Sequence, residues 1–96
     1  MSCKLHVADA VKQDILDCDP EAIQQIGGFL LALQENPLPK NRSEMDRGAF
    51  YCRLRCGYYV AWEVSGDLMR LVSTGDTRGI SIRILGVGRG LPGSKR

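Results

Sequence analysis

The sequence predicts a small α+β domain, in which an N-terminal strand and a two-helix hairpin pack on a curled, mainly antiparallel sheet of four to five strands. Apolar residues recur at helical spacing up to residue 35 and alternate with polar residues after residue 49, which indicates helices followed by strands. The segment Asn36-Pro37-Leu38-Pro39 separates the two patterns, because proline cannot continue a helix. A length of 96 residues predicts a single domain over 1–96, with a loose tail over 90–96.

The chain begins with signals for a strand and a short helix. Leu5 and Val7 alternate with polar neighbours, so residues 4–7 are predicted to form a strand. Apolar residues then recur at helical spacing and predict a helix over 10–17. Asp9 precedes this helix and is its candidate N-cap.

A second, longer helix follows. Asp19-Pro20-Glu21 is typical of a helix start, with aspartate as N-cap, proline at the first position and glutamate in the first turn. Gly27 and Gly28 are poor helix formers. We therefore expect these glycines to allow a close approach to the sheet or to the first helix.

The chain after a polar loop over 40–48 is strand-like. Alternation and turn residues predict four strands over 50–56, 59–64, 68–74 and 80–87. Turns are predicted over 65–67 and 76–79. In the last strand, Ile80, Ile82 and Ile84 are predicted to face the core, and Ser81, Arg83 and Leu85 to face away.

The first predicted hairpin also has a predicted register. A three-residue loop over 56–58 pairs residue 54 with 60, 52 with 62 and 50 with 64, and all of these are apolar. A slip by one residue would bury arginines, so register and pattern agree. The outer face of the hairpin then carries Tyr51, Arg53, Arg55, Tyr59 and Glu63.

The charge is distributed unevenly along the chain. Residues 1–39 hold two Lys and six Asp or Glu, a balance of −4, and residues 40–96 hold eleven Lys or Arg and five Asp or Glu, a balance of +6. Nine of those eleven cations are arginines. An arginine-rich half is compatible with phosphate contacts, and equally with the solvation of a small sheet.

The four cysteines and the N-terminal segment indicate in which cellular compartment the protein is expected. Cys3, Cys18, Cys52 and Cys56 include no C-x-x-C pair, and His6 is the only histidine, so we interpret them as buried or incidental reduced thiols rather than a disulfide framework or a zinc site. The sequence shows neither a signal-peptide pattern nor an apolar run long enough for a membrane span. The expected location is the cytoplasm.

The outer face of the hairpin is the candidate functional surface. Arg53 and Arg55 are expected side by side on one strand, about 7 Å apart, which is near the spacing of successive phosphates. Tyr51 and Tyr59 flank them and offer rings on which a base can stack. Glu63 is a candidate counter-ion or general base. Additional cations are expected from Arg83 and Arg89. The same residues also fit a solvated face with an Arg–Glu pair, or a face covered by a partner peptide.

Three segments resemble the RelE/ParE toxin superfamily. They are 33–39 (LQENPLP), 50–64 (FYCRLRCGYYVAWEV) and 82–89 (IRILGVGR), which are similar to the helix exit, the basic hairpin and the closing strand of that family. The resemblance covers roughly residues 3–89. Residues 68–79 are either an added strand with a loop or the family's closing strand, and we favour 80–89 as the closing strand.

The resemblance implies a toxin of a type II toxin–antitoxin pair. RelE-like members are ribosome-dependent endoribonucleases that cut mRNA, and they use no metal and no cofactor. ParE-like members inhibit DNA gyrase and do not cut RNA. Both are neutralised by a small, often acidic antitoxin. Carried over, Arg53 and Arg55 match the basic strand positions and Arg89 matches the arginine after the closing strand, so these three are the expected catalytic residues.

The departures from the family pattern leave three functional hypotheses. Val60 stands where the family has an arginine, and the C-terminal Tyr or His is missing. These differences favour a ParE-like or degenerate member that only binds a protein. The remaining arginines favour a RelE-like nuclease with mRNA and the ribosome as partners. A small binding domain outside toxin biology is the third hypothesis.

Overall fold

The computed structural model describes residues 3–46 and 48–90, and it has three helices and a five-stranded sheet in that part of the chain. The predicted α+β class is confirmed. The expected loose tail over 91–96 lies outside the described residues. In chain order the elements are β1 (Lys4–Val7), α1 (Asp9–Leu16), α2 (Pro20–Glu35), β2 (Ser43–Asp46), β3 (Ala49–Arg53), β4 (Tyr58–Ser65), α3 (Leu68–Thr74) and β5 (Ser81–Arg89).

The sheet has the order β1-β5-β4-β3-β2, with β1 parallel to β5 and every other pair antiparallel. The helices α1 and α2 form the crossover between β1 and the rest of the sheet, and their apolar residues pack on one side of it. The other side of the sheet, which we call the open face, carries no helix from this pair. No helix in the described ranges is long and apolar enough to cross a membrane.

Trp62 is the centre of the core. Its side chain is fully buried between the rings of Phe29 and Phe50, whose centroids lie 5.4 and 5.9 Å away. Its indole N–H donates to the Pro37 carbonyl at 3.0 Å, so the indole keeps a hydrogen-bond partner inside the core. This bond ties the end of α2 to the middle of the sheet.

The helix starts follow the predictions in part. Asp19 is the N-cap residue of α2 and Pro20 is its first residue, as predicted, but the Asp19 side chain does not cap the helix. The predicted N-cap Asp9 is wrong: Ala8 takes that position and Asp9 is the first residue of α1. The expected close approach at Gly27 and Gly28 is also wrong, since a Cβ added to either would meet no atom within 4 Å.

The predicted loop over 40–48 contains the edge strand β2. Ser43 lies opposite Tyr51 and Glu44 opposite Phe50, and a bulge follows before Asp46. The polar, charged sequence of β2 concealed it, because an edge strand with little burial shows no apolar alternation.

The first hairpin has the predicted faces but not the predicted register. Phe50 pairs with Trp62 and Cys52 with Val60, so β4 is displaced by two residues from the expected pairing. The strand ends at Arg53 because the chain turns over 54–57, where Gly57 adopts φ 92° and donates to the Leu54 carbonyl at 3.0 Å. A shift of two residues keeps every side chain on its face, so the apolar pattern cannot distinguish the two registers.

The predicted strand over 68–74 is wrong, because these residues form α3. The Asp67 carboxylate accepts the Arg70 N–H at 3.0 Å and caps the helix, and Gly75 ends it in the left-handed conformation at φ 75°. Residues 65–67 therefore lead into a helix rather than a hairpin. Only Leu71 of α3 is buried, while Met69 and Val72 are exposed.

Strand β5 confirms the predicted closing strand and its inward residues. Ile80, Ile82 and Ile84 are buried, and the alternate side chains face away. A bulge in β5 sits beside the step from Ala61 to Trp62 of β4. The bulge shifts the alternation of side chains by one residue. The residues of β5 after the bulge therefore face the opposite sides of the sheet from those that they would face in a regular strand.

Candidate nucleic-acid interface

The open face at the end of the β3–β4 hairpin brings Arg53 and Tyr59 together. The two residues are directly opposite each other in the sheet, and Tyr51 lies two residues before Arg53, opposite Ala61. Alternation places all four on the side away from Trp62 and Val60. The structure therefore joins three of the predicted site residues, Tyr51, Arg53 and Tyr59, on one surface.

Arg55 lies in the hairpin loop and not on the strand beside Arg53, so the expected side-by-side strand placement is wrong. Both arginines are exposed, and both line a shallow depression of about 490 Å³ between the hairpin and α2. Among the described side chains, no carboxylate lies within ion-pair distance of either guanidinium. They are therefore two cations available for an anionic ligand at one rim.

Tyr59 lies across the neighbouring strand because Gly88 has no side chain. A Cβ added at Gly88 would lie 3.1 Å from Tyr59 Cε2 and 3.2 Å from its hydroxyl oxygen. Gly88 is the residue directly opposite Tyr59 in β5, and its φ is ordinary, so space and not backbone conformation requires the glycine. The tyrosine ring thus forms part of the floor of the open face.

Glu63 and Arg83 form a cross-strand ion pair at the far end of the same face. The Arg83 guanidinium donates twice to Glu63 Oε1, at 2.7 Å from its terminal nitrogen and 3.1 Å from Nε. The two residues are partners in the β4–β5 ladder. Glu63 is therefore the counter-ion that the sequence suggested, and Arg83 is a largely exposed cation with two of its five N–H donors turned to a carboxylate.

Arg89 does not join this patch. Because the β5 bulge resets the alternation, Arg89 lies opposite Tyr58 and shares the helix side of the sheet with it. Its guanidinium lies 5.2 Å from the Tyr58 ring centroid and 3.5 Å from Asp19 Oδ2 at the start of α2. The hydrogen bond to Tyr58 and the charge of Asp19 raise the pKa of Arg89. The bulge, which no sequence pattern announced, is the reason for this difference.

Val60 also lies on the helix side, fully buried in the core. An arginine in its place would point among the apolar side chains rather than toward Arg53. The open-face position nearest to it is that of Tyr59. An arginine at position 60 would therefore not lie on the open face, so its absence does not remove a cation from that face.

Sequence reasoning missed the residues that α2 and the following loop bring to the depression. Gln25, Phe29 and Asn41 line it together with Leu54 and the two arginines. Gln25 and Phe29 come near because α2 packs on the sheet, and Asn41 comes near because it precedes β2, which pairs with β3. The Gln25 carboxamide oxygen accepts the Cys56 N–H at 3.0 Å, which holds the hairpin loop against the helix.

The cysteines are all free, as interpreted from the sequence. Burial raises the pKa of the Cys3, Cys18 and Cys52 thiols. Neutral thiols of this kind take no part in the charge of the open face.

Comparison with solved structures identifies the fold. The chain matches no model of a protein family and no curated protein sequence. Among solved structures it is similar to a doubly substituted variant of the E. coli toxin RelE, both free (14% identity, 93% of this chain and 84% of that chain, TM-score 0.69) and with a peptide of the antitoxin RelB (15%, 95% and 86%, 0.71).

It is similar as well to the RelBE2 toxin–antitoxin complex of Mycobacterium tuberculosis, at 16% identity over 94% of this chain and 100% of that chain, with a TM-score of 0.67. The chain therefore has a RelE-like toxin fold, which confirms the resemblance noted in the sequence. Identities this low define the fold only, and function has to be argued from the site.

Proposed function

We propose that this chain is the toxin of a type II toxin–antitoxin pair and that it inhibits translation by ribosome-dependent cleavage of mRNA in the cytoplasm. The observation that carries the proposal is the pair of guanidinium groups, Arg53 and Arg55, which lie at the rim of the hairpin and form no ion pair with any described carboxylate. Beside them Tyr59 presents an aromatic ring across Gly88. Cations next to an aromatic surface are the chemistry that single-stranded RNA requires.

In the proposed reaction the ribose 2′-hydroxyl attacks the adjacent phosphorus. The bond to the 5′-oxygen of the next nucleotide breaks, the 2′-hydroxyl gives up its proton to water, and the departing 5′-oxygen takes a proton from water, which leaves a 2′,3′-cyclic phosphate and a free 5′-hydroxyl. Arg53 and Arg55 hold the phosphate and stabilise the negative charge that develops on its oxygens. Tyr51 and Tyr59 support neighbouring bases, and Arg83, paired with Glu63, adds a phosphate contact further along the face.

The proposed partners are mRNA, the ribosome and a small acidic antitoxin. Two of the similar structures contain a RelE-type toxin together with its antitoxin, which supports the last of these. An acidic segment would neutralise Arg53 and Arg55 directly, so the antitoxin is proposed to cover the open face or to displace an element that supports it.

A second candidate is a ParE-like or catalytically degenerate member that acts by binding a protein. The placement of Arg89 on the helix side favours it, because the open face then has one cation fewer than the family pattern implies. Residues 90–96 contain neither Tyr nor His, one of which follows the closing strand in the family pattern, and this favours it too. Gyrase or the antitoxin alone would be the target.

Cell-free translation with purified protein separates the candidates. The 5′ ends of the mRNA are mapped by primer extension for the wild type, for Arg53→Ala/Arg55→Ala and for Lys12→Ala. The last variant removes an exposed cation of α1, on the helix side of the sheet and outside the proposed site. New ends that need ribosomes and disappear only in the arginine variant are expected. Growth inhibition on expression in cells, without new ends in the cell-free reaction, would favour the second candidate.

A further inference from the structure

The depression beside Arg53 contains a stretch of sheet edge without a partner strand. Leu54 donates its N–H to the Tyr58 carbonyl at 2.7 Å, so these two residues are a hydrogen-bonded pair. By alternation, Arg53 opposite Tyr59 is a non-hydrogen-bonded pair, and its main-chain N–H and C=O point away from β4. The pairing of β2 with β3 on that side ends at Ser43 opposite Tyr51.

The Arg53 main chain is therefore a donor and an acceptor directed at the depression. Its carbonyl accepts a long contact of 3.8 Å from the Cys52 thiol. Asn41 lines the same depression, is exposed and adds a carboxamide with both donors and an acceptor.

The walls of the depression are held in place from behind. The Phe29 ring lies edge-on to the buried Trp62 at 5.4 Å. Gln25 is fixed by its bond to the Cys56 N–H. The volume of about 490 Å³ is within the range of roughly 300–1,000 Å³ that is usual for ligand sites. One apolar wall, a few polar groups and two cations at the rim fit a nucleotide better than they fit an apolar ligand.

We propose that this depression is a nucleobase subsite, which holds one base of the single-stranded RNA next to the phosphate bound by Arg53 and Arg55. The proposal rests on the proposed function, because it extends the same RNA-binding surface. The base would pack against Phe29 and Leu54, and its polar edge would meet the Arg53 main chain and the Asn41 carboxamide. A donor and an acceptor side by side match the edge of a base.

An added peptide strand fits this edge less well. A strand needs several consecutive unpaired residues, whereas only Arg53 is left outside the β2 pairing before the chain enters the loop over 54–57. The two guanidinium groups at the rim also favour a ligand with one phosphate per unit. The subsite therefore gives the chain a base preference at one position of its RNA.

The direct test is an NMR titration of the isolated protein with short single-stranded RNA of each of the four homopolymers. The Arg53 main-chain amide and the Asn41 side-chain amide are expected to shift, to a different extent for different bases. The Gln24 side-chain amide, exposed on α2, serves as the reference and should stay in place. Equal shifts for all four RNAs, or none at saturating RNA, would overturn the proposal, as would shifts produced only by an antitoxin peptide.

The functional test compares the base preference around mapped mRNA cuts for Asn41→Ala and Gln24→Ala. Loss of one hydrogen bond is expected to reduce the preference at one position by roughly 3- to 10-fold in Asn41→Ala, with no change in Gln24→Ala. Cleavage with an unchanged preference in Asn41→Ala would refute the subsite and leave the proposed nuclease intact. Absence of cleavage in the wild type would refute the nuclease, and the NMR titration would still decide on the subsite.

Discussion

Two single residues decide what the open face presents beside Arg53. Gly88 leaves room for the Tyr59 ring, and Val60 turns its side chain into the core behind it. The sequence identified Tyr59 as an outward residue and Val60 as an inward one, because alternation is a local property. It did not identify the role of Gly88, since that depends on which strand pairs with β4.

The change Gly88→Ala should displace Tyr59 from the open face. The new Cβ would lie 3.1 to 3.3 Å from three atoms of the ring, and a ring on a flexible side chain can turn away. We expect a stability loss below about 1 kcal/mol but a weaker affinity for single-stranded RNA, because stacking on the ring is lost. Urea unfolding and RNA titration measure the two effects. An unchanged RNA affinity would exclude Tyr59 from the interface, and Gly27→Ala, on an open helix surface, is the control.

Arginine should have opposite effects at the neighbouring positions 59 and 60. Val60→Arg places an unpaired charge in the core, where Val60 is fully buried, and should destabilise the fold by about 3 kcal/mol or more. Tyr59→Arg adds a cation opposite Arg53 on the open face and should leave the fold intact. Thermal unfolding of the two variants makes the comparison. Equal stability of both would contradict the face assignment of β4.

At the level of elements, the hairpin and α3 show what pattern reasoning can and cannot supply. Alternation assigned the faces of β3 and β4 correctly but not their register, because registers two residues apart are equivalent to the pattern. The pattern predicts a strand over 68–74, where the structure has the helix α3 with Asp67 as its cap and Gly75 as its C-terminal stop. A seven-residue segment with one buried residue carries too little periodicity to decide between helix and strand.

Asp76 holds the loop after α3 through ion pairs with two arginines. These ion pairs predict how the stability of the fold depends on pH. Hydrogen bonds from Arg78, assisted by Arg70, lower the pKa of Asp76 from 3.8 to about 2. A lowered pKa in the folded state means that the contact stabilises the fold above pH 4, and that this contribution is lost as the pH falls from about 4 to 2. An NMR titration of the Asp76 carboxyl carbon should give a midpoint near 2.

The variant Arg78→Ala tests the cause of that shift. It removes the side-chain hydrogen bonds, which are the largest cause of the lowering, while the main-chain N–H of residue 78 still donates to the carboxylate, so the Asp76 midpoint should rise part of the way toward its ordinary value of 3.8. Arg83→Ala, which removes a similarly exposed arginine from a different ion pair, should leave it unchanged. A midpoint near 2 in both variants would show that Arg78 is not responsible.

For the whole molecule, most of the element order was predictable, but β2, α3 and the exact geometry were not. Prolines and alternation were enough to predict two helices, the basic hairpin and the closing strand, and the resemblance of three segments to the RelE/ParE superfamily predicted the RelE-like fold that the solved structures show. The β5 bulge, the edge strand β2 and the depression at α2 depend on contacts between distant segments. Those contacts moved Arg89 to the helix side and brought Asn41 to Arg53.

The uneven charge of the chain gives a prediction for the molecule as a whole. Residues 40–96 carry +6 and residues 1–39 carry −4, so RNA should bind through the basic half and weaken with salt. The logarithm of the affinity for single-stranded RNA is expected to fall linearly with the logarithm of salt concentration, by about 0.7 for each phosphate contact.

Removing Arg53 and Arg55 together should therefore make that slope shallower by about 1.4, because two phosphate contacts are lost. Lys12→Ala removes one exposed cation from α1, on the helix side of the sheet, so its slope should match the wild type. Fluorescence anisotropy with labelled RNA at several salt concentrations measures all three slopes. A loss in Lys12→Ala about half as large as in the arginine variant would mean that RNA responds to net charge alone, and that the hairpin rim is not where the phosphates bind.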